Sequence, residues 1–190
     1  MWNGSVTPRV AILNYGCGNL GSVVNAVRKV GGGEAYLAQP HGLGIHQATH
    51  IIMPGQGAFI ELSSEWTDEL NRARERGVPI LGICLGMQLM CEGSEEAPGV
   101  KGLGWFNGTC ERMPLRRLPH IGWNTVGLGP DYYFCHSYAL RQFDGRAKVT
   151  EVEGFRFAAE IQEGKLCAVQ FHPEKSGKAG LAFLREFLRL

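Results

Sequence analysis

The sequence predicts an α/β fold in which a mixed sheet carries helices on both faces. Short apolar runs alternate with segments of helical periodicity up to about residue 90. Such alternation is typical of parallel strands joined by helical crossovers, which cover both sides of a sheet. After Glu92-Gly93-Ser94 the chain changes to short β-rich runs separated by glycine and proline, and these suit antiparallel strands.

The first half of the chain contains the alternating elements. Strands are expected at residues 9–13, 34–38, 50–53 and 78–83. Apolar side chains at helical spacing predict a helix from Leu20 to Val30, with Asn19 as its N-cap. Trp66, with Leu70 and Ala73 further along, predicts a second helix.

The second half contains the β-rich runs and one further helix. Strands are expected at residues 132–135, 147–152, 155–161 and 165–171. Leu181, Leu184 and Leu188 predict a closing amphipathic helix. Since no repeat or linker divides the chain, we expect one domain over residues 9–190, preceded by a flexible extension of residues 1–8.

Composition restricts the classes of partner. The 190 residues are 44% hydrophobic and 19% charged, with a net charge of +1, which gives no electrostatic basis for binding nucleic acid or an anionic membrane. No apolar run approaches the length of about 18 residues that spans a bilayer. The six cysteines include no C-x-x-C pair, and the N-terminus lacks an apolar signal region, so we expect a cytoplasmic protein with reduced thiols and no metal site.

One cysteine lies where a strand turns sharply into a helix. Glycines stand two residues before and two residues after Cys84, between an apolar run and Leu85-Gly86-Met87-Gln88. This is the pattern of a nucleophile elbow, with cysteine in place of serine. A thiol at the start of a helix also feels the positive end of the helix dipole, which favours the thiolate. The alternative is a buried structural cysteine in a glycine-rich turn.

A second segment supplies a candidate base. His172 precedes Pro173, which favours an extended backbone, and residues i and i+2 of an extended segment face the same way. Glu174 can therefore lie beside His172, fix its tautomer and stabilise the imidazolium. Cys84, His172 and Glu174 together predict nucleophilic catalysis by a thiolate. The alternative is a solvated turn with no partner.

A glycine motif in the first crossover suggests a different class of site. Gly16-x-Gly18-x-x-Gly21 follows a strand and opens a helix, as the dinucleotide-binding fingerprint requires. That fingerprint also needs an acidic residue at the end of the second strand, where this chain has Ala38-Gln39-Pro40-His41. Dinucleotide binding remains a minor alternative, which a titration with dinucleotides would test.

The two functional segments resemble those of the class I (triad) glutamine amidotransferases, whose fold is a flavodoxin-like α/β sandwich. Gly-Ile-Cys-Leu-Gly-Met-Gln and Phe-His-Pro-Glu occur in that family's order and spacing. Further segments are similar to the glutaminase subunits of imidazole glycerol phosphate synthase: Tyr15-Gly16, Pro54-Gly55, Gly57-Ala58-Phe59, Gly102-Leu103-Gly104, Pro119-His120-Ile121-Gly122-Trp123-Asn124, His136-Ser137-Tyr138 and His172-Pro173-Glu174-Lys175-Ser176. They cover nearly the whole chain from Val10 onward.

The resemblance implies roles for further residues and no cofactor. The elbow supplies the backbone N–H of Leu85 to an oxyanion hole, and the loop at Gly55 and Gln56 is expected to supply a second donor. Glutamine contacts are expected from Gly57, Gln88, Glu96, Ser137 and Tyr138, and the alternative for Glu96 is a solvated acidic loop. The implied partner is a (β/α)8-barrel cyclase, in a heterodimer. The face toward that partner is expected to include Asn14, Trp123, Asn124, Tyr133 and Lys175, and the alternative for Trp123 and Tyr133 is a buried aromatic.

Departures from the family pattern leave alternatives open. Asn14 stands where these subunits usually have aspartate, and Gln56 stands where a small aliphatic residue is common. Both changes are compatible with a paralogous subunit that feeds ammonia to another acceptor, such as a surface-polysaccharide sugar. A non-catalytic partner-binding subunit is a third possibility, against which the complete set of Cys84, His172 and Glu174 argues.

Overall fold

A central seven-stranded sheet organises the molecule. The computed structural model describes residues 7–16, 19–31, 33–39, 44–143 and 147–190. The strands of the large sheet lie in the order β10-β11-β12-β4-β3-β1-β2. The strands are β1 (Arg9–Leu13), β2 (Glu34–Ala38), β3 (His50–Met53), β4 (Ile80–Ile83), β5 (Cys91–Ser94), β6 (Phe106–Arg112), β7 (His120–Thr125), β8 (Asp131–His136), β9 (Tyr138–Leu140), β10 (Ala147–Val152), β11 (Phe155–Glu163) and β12 (Leu166–Val169).

Helices cover both faces of this sheet. They are α1 (Leu20–Lys29), α2 (Ser64–Glu75), α3 (Leu85–Met90) and α4 (Gly177–Phe187). Val27 of α1 and Leu184 of α4 belong to one buried apolar cluster, whereas Leu70 of α2 and Met87 of α3 belong to a second cluster. The mixed sheet with helices on both faces is therefore confirmed. None of the helices among the described residues is long and apolar enough to cross a membrane.

Strand directions follow the prediction for most of the sheet. Parallel pairing joins β1 to β2, β1 to β3 and β3 to β4, while β10–β11 and β11–β12 are antiparallel. The exception is β12, which pairs in parallel with β4 on its other side. Its four residues are all buried, because a strand inserted in the centre of the sheet is covered on both faces.

Four of the strands, β5, β6, β7 and β9, are absent from the prediction, and three of these contain an internal glycine. They are β5 with Gly93, β6 with Gly108 and β7 with Gly122. Glycine interrupts the apolar pattern by which strands are recognised in a sequence. β6 joins β5 and β9 in a small second sheet, and β7 pairs with β8 in an antiparallel hairpin.

The ends of the helices agree with their local sequence. The Asn19 side chain accepts a hydrogen bond from the N–H of Ser22 at 3.4 Å, which confirms the predicted N-cap of α1.

Of the predicted N-terminal extension, residues 1–6 lie outside the described residues. Pro8 is buried, and its carbonyl accepts a hydrogen bond from the N–H of Glu34 at 3.0 Å. Gly18 of the glycine motif also lies outside the described residues.

Candidate active site

Cys84 lies on a strained turn between β4 and α3. Its φ is 53° and its ψ is −103°, a conformation that a non-glycine residue rarely adopts. Two glycines allow the tight turn. A Cβ on Gly86 would lie 1.9 Å from the carbonyl oxygen of Met53, and a Cβ on Gly82 would lie 2.7 Å from the Gly86 backbone. The predicted elbow geometry is therefore present.

The loop after β3 packs directly against this elbow. A Cβ on Gly55 would lie 2.4 Å from the Cβ of Leu85 and 3.1 Å from the Gly86 nitrogen. Gln56 and Gly57, which follow, are exposed and line a cavity with Cys84. The backbone of Leu85 and the loop are thus neighbours, as the proposed oxyanion hole requires.

His172 and Glu174 form a buried pair. His172 Nδ1 lies 2.8 Å from Glu174 Oε1, and the two side chains are 2% and 3% exposed. His172 has the extended backbone predicted before a proline, but Glu174 lies in a 3₁₀ turn, Pro173–Lys175. The expectation that both residues share one extended segment is therefore wrong. The tight turn, rather than strand alternation, brings the carboxylate to the ring.

The surroundings of His172 favour its imidazolium form. Burial by itself would lower the pKa of this histidine, but the Cys84 sulfur and the Glu174 carboxylate outweigh burial and raise the pKa to about 10. The His172 N–H donates to the Tyr133 carbonyl at 2.8 Å, which ties the segment to β8. His172 Nε2 is buried and, among the described residues, has no hydrogen-bond partner. The Cys84 sulfur and the Glu174 carboxylate thus both favour the cationic ring of His172.

A cavity of about 190 Å³ opens at Cys84. Of the predicted site residues, it is lined by Gln56, Gly57, Cys84, Leu85, Gln88, Glu96, Ser137 and Tyr138. Three other lining residues were not predicted to belong to the site: Pro119, Cys135 and His136. A larger cavity of about 470 Å³ between α4 and β10–β12 is separate from this cysteine. We take the smaller cavity as the candidate active site because it contains the strained thiol.

The predicted glutamine contacts are held by the protein itself. Gln88 Nε2 donates to the Tyr138 carbonyl at 2.9 Å, so the Gln88 side chain is fixed at the cavity wall. Glu96 Oε2 accepts a hydrogen bond from the N–H of Phe59 at 2.8 Å. The Ser137 carbonyl accepts from the N–H of Met113 at 2.9 Å. These bonds make the cavity wall a connected structure rather than a set of solvated loops.

Gln170 is a further residue of the site, and it was not predicted from the sequence. This residue is fully buried directly after β12, and its Nε2 lies 3.5 Å from Cys84 Sγ. Its Oε1 accepts a hydrogen bond from Gln88 Nε2 at 3.3 Å. Its position two residues before His172 was the available signal, since residues i and i+2 of an extended segment face the same way.

Three of the predicted partner-facing residues form a cluster beside the loop after β3. The ring of Trp123, which is 57% exposed, meets the Tyr133 ring edge to face at 6.1 Å. Lys175 Nζ lies 5.8 Å from the centre of the Tyr133 ring and donates to Gln56 Oε1 at 3.5 Å. The alternative of a buried Trp123 is thus excluded. A surface aromatic is connected to the loop of the proposed oxyanion hole.

The two asparagines predicted for the same face have partners within the chain. Asn124 Nδ2 donates to the Glu151 carbonyl at 3.3 Å. Asn14 lies at the end of β1, where its N–H donates to the Ala38 carbonyl at 3.0 Å. Neither contact reaches the cluster of Trp123, Tyr133 and Lys175.

Comparison with known proteins places this chain in a family. A family model for class-I glutamine amidotransferases matches residues 34–190. The HisH subunit of imidazole glycerol phosphate synthase from Thermus thermophilus is 40% identical over 189 residues, covering 93% of this chain and 94% of that protein. The HisH subunit from Methanopyrus kandleri is 42% identical over 196 residues, covering 95% and 97%.

Solved structures agree on the fold. A glutamine amidotransferase has a TM-score of 0.72 at 20% identity, covering 95% of this chain and 99% of that chain. PurLQS from Thermotoga maritima has a TM-score of 0.73 at 16% identity, covering 97% and 98%. The predicted amidotransferase fold is confirmed. By its sequence, the chain belongs to the class-I glutamine amidotransferases and, within them, to the HisH glutaminase subunits of imidazole glycerol phosphate synthase.

Proposed function

We propose that Cys84 hydrolyses glutamine through a thioester. The thiolate attacks the side-chain amide carbon of glutamine, and the tetrahedral intermediate collapses as His172 gives its proton to the departing ammonia. His172 then removes a proton from water, which attacks the thioester and releases glutamate and the thiolate. The observation that carries this proposal is a strained cysteine that lines a small cavity and a buried His172–Glu174 pair, whose histidine pKa the Cys84 sulfur helps to raise.

The tetrahedral intermediates need donors for the developing oxyanion. The N–H of Leu85 is one, because an elbow directs the backbone N–H after the nucleophile toward the reacting carbonyl. The second comes from the loop at Gly55 and Gln56, which packs against Leu85. One such donor contributes about 3 kcal/mol where it has been measured. A peptide flip in this glycine-containing loop would make or break the hole.

Glutamine itself is held at the cavity wall. We assign its contacts to Gly57, Gln88, Glu96 and the backbone at Ser137 and Tyr138, which line the cavity with Cys84. The Gln88 Nε2 protons are directed to the Tyr138 carbonyl and to Gln170, so its Oε1 is the atom available to accept from the substrate.

The ammonia passes to a partner subunit rather than to solvent. Free ammonia is protonated near neutral pH and is then no nucleophile, so direct transfer preserves its reactivity. We propose a (β/α)8-barrel cyclase as partner, in a cytoplasmic heterodimer. It would combine ammonia with N′-ribulosyl formimino aminoimidazole carboxamide ribonucleotide. The products would be imidazole glycerol phosphate for histidine synthesis and aminoimidazole carboxamide ribotide.

The β7–β8 hairpin provides the docking surface in this proposal. Ile121 and Trp123 are 59% and 57% exposed on β7, which is unusual for such large apolar side chains. Lys175 connects Tyr133, beneath Trp123, to Gln56. A partner that moves Trp123 would therefore move the loop that supplies the second oxyanion donor. We assign Asn14 and Asn124 to the periphery of this surface.

The test is glutamate release from glutamine, measured for this chain alone, with the barrel subunit, and with that subunit and its ribonucleotide. Slow release alone and a large increase in the complete mixture, abolished by Cys84→Ala, is the expected result. A high rate for the isolated chain would show that the oxyanion hole is preformed and would refute the coupling. No turnover in any mixture would favour a paralogous subunit with another acceptor.

A further inference from the structure

We propose that Gln170 positions the Cys84 nucleophile and stabilises its thiolate by donating an amide N–H to the sulfur. Gln170 Nε2 lies 3.5 Å from Cys84 Sγ, a normal distance for a hydrogen bond to sulfur. The residue is completely buried. This inference rests on the nucleophilic role proposed for Cys84.

The orientation of the Gln170 amide follows from one backbone carbonyl. The Tyr138 carbonyl oxygen can only accept hydrogen bonds, so the Gln88 atom 2.9 Å from it must be the nitrogen. The same nitrogen directs its second proton to Gln170, 3.3 Å away, so the Gln170 atom that receives it must be the oxygen. The remaining Gln170 atom, which faces the sulfur, is then the nitrogen. Each step leaves one arrangement.

A pair of neutral histidines supports the same carbonyl. His136 Nδ1 donates to the Tyr138 carbonyl at 2.9 Å, and His136 Nε2 accepts from His120 Nδ1 at 3.3 Å. Burial lowers the pKa of His136 to about 3 and also lowers the pKa of His120, so both rings are neutral near pH 7. Neutral rings keep one acceptor and one donor each, which is the arrangement this chain of bonds requires.

Strand pairing places the Gln170 amide at the elbow. Cys84 and Gln170 each follow directly after one of the adjacent parallel strands β4 and β12. The N–H of Cys84 donates to the Val169 carbonyl at 2.7 Å, and the N–H of Gln170 donates to the Ala159 carbonyl at 2.9 Å. Both backbones are therefore held by the sheet. The position of the amide relative to the sulfur does not depend on a flexible loop.

Among the described residues, two polar groups besides His172 lie near the sulfur, and one favours the thiol while the other favours the thiolate. The Cys135 carbonyl oxygen lies 3.8 Å from Cys84 Sγ and can only accept, so it suits the thiol. The Gln170 N–H can only donate at this position, so it suits the thiolate. A hydrogen bond to a charged group shifts the equilibrium between the neutral and the charged form of that group by roughly ten- to a hundredfold. Gln170 thus offsets the carbonyl and holds the thiolate in place.

The experiment measures Cys84 reactivity without glutamine. The full chain is alkylated with iodoacetamide from pH 5 to pH 10, and modification of the Cys84 peptide is followed by mass spectrometry. Gln170→Glu replaces the donor by a carboxylate of the same shape, and Gln170→Met removes it at similar length. Gln162→Glu, exposed on β11, is the control for the change of charge. Circular dichroism confirms that each variant is folded.

We expect alkylation at pH 7 to fall by roughly tenfold or more in Gln170→Glu and in Gln170→Met, with the midpoint of the pH profile moved to higher pH. The control should match the unchanged chain. In glutamine turnover with the partner, kcat should fall while KM stays nearly constant. A role confined to bracing Gln88 would instead raise KM and leave alkylation unchanged.

An unchanged alkylation profile in either folded variant would overturn the assignment. The outcome is separate from that of the proposed function. If the unchanged chain releases no glutamate in any mixture, but the Gln170 variants still alter Cys84 alkylation, the proposal of a glutaminase coupled to the barrel cyclase fails and the positioning role stands. If turnover is normal and alkylation is the same in all variants, only the positioning role fails.

Discussion

Replacing Glu174 by glutamine tests how much the buried carboxylate contributes to turnover. The variant keeps the shape of the side chain and an acceptor 2.8 Å from His172 Nδ1, but it removes the negative charge. Both groups are almost completely buried, so the imidazolium that accompanies the thiolate would lose a counterion that water cannot replace. Removing one partner of a buried charged pair costs roughly 3 to 5 kcal/mol.

We expect the same cost to fall on the imidazolium–thiolate pair from which the reaction starts, because Glu174 stabilises only the charged ring. At about 1.36 kcal/mol per factor of ten, kcat should fall by two to nearly four orders of magnitude. The pKa of His172, now raised to about 10 in part by Glu174, should also move down in the variant. Steady-state glutamate release with the partner, measured from pH 6 to pH 10, follows both effects.

A matched carboxylate elsewhere serves as the control. Glu160 Oε1 pairs with Lys148 Nζ at 2.8 Å, and the Glu160 side chain is only 11% exposed, but this pair lines a different cavity. Glu160→Gln should therefore lower stability and leave kcat unchanged. A fall in kcat of less than about fivefold in a folded Glu174→Gln variant would refute the reasoning. So would a loss that appears wholly in KM.

Three further predictions follow from the packing, charge and surface of the molecule. Gly86→Ala should prevent native folding or displace the elbow, because the new Cβ would lie 1.9 Å from the Met53 carbonyl oxygen. The control is Gly21→Ala on α1, where a Cβ meets nothing within 4 Å, so this variant should be neutral or slightly stabilising in urea unfolding. The raised pKa of His172 predicts that His172→Asn loses the most stability below pH 6.5, and that this loss disappears as the pH rises through about 10. The reason is that a group whose pKa is higher in the folded state stabilises the fold only while its proton stays bound. Unfolding free energies that show no trend across this pH range would contradict the prediction. Trp123→Ala should leave the isolated chain folded and its basal glutamate release unchanged, but it should weaken binding of the barrel subunit. If titration with the barrel subunit gives an unchanged affinity, Trp123 does not belong to the proposed interface.

Much of the fold and the nucleophile could be predicted from short segments. The glycines around Cys84 act within five residues, where sterics alone decide that the turn is tight and the thiol projects from it. The strands β1, β3 and β4 were visible because each is an apolar run buried on both faces. Helices α1 and α2 were visible because one apolar face repeats at the helical period.

Other features depend on which strands lie side by side. Gln170 contacts Cys84, 86 residues away in the sequence, because β12 pairs in parallel with β4. The same holds for Glu96, whose carboxylate accepts a hydrogen bond from the N–H of Phe59, 37 residues away in the sequence. Such pairs carry no local periodicity, because their two members belong to different elements. Only packing selects them.

The sequence by itself therefore determined the strained thiol, the helical and strand periods, and the family to which the chain belongs, since these follow from residues close together in the chain. The tertiary structure decided which polar groups surround the sulfur. The sequence of one segment does not show whether an amide in it is buried. It also does not show which hydrogen-bond partners the protein offers that amide once water is excluded. Gln170 has its hydrogen-bond partners only because β12, α3 and β9 pack together around its side chain.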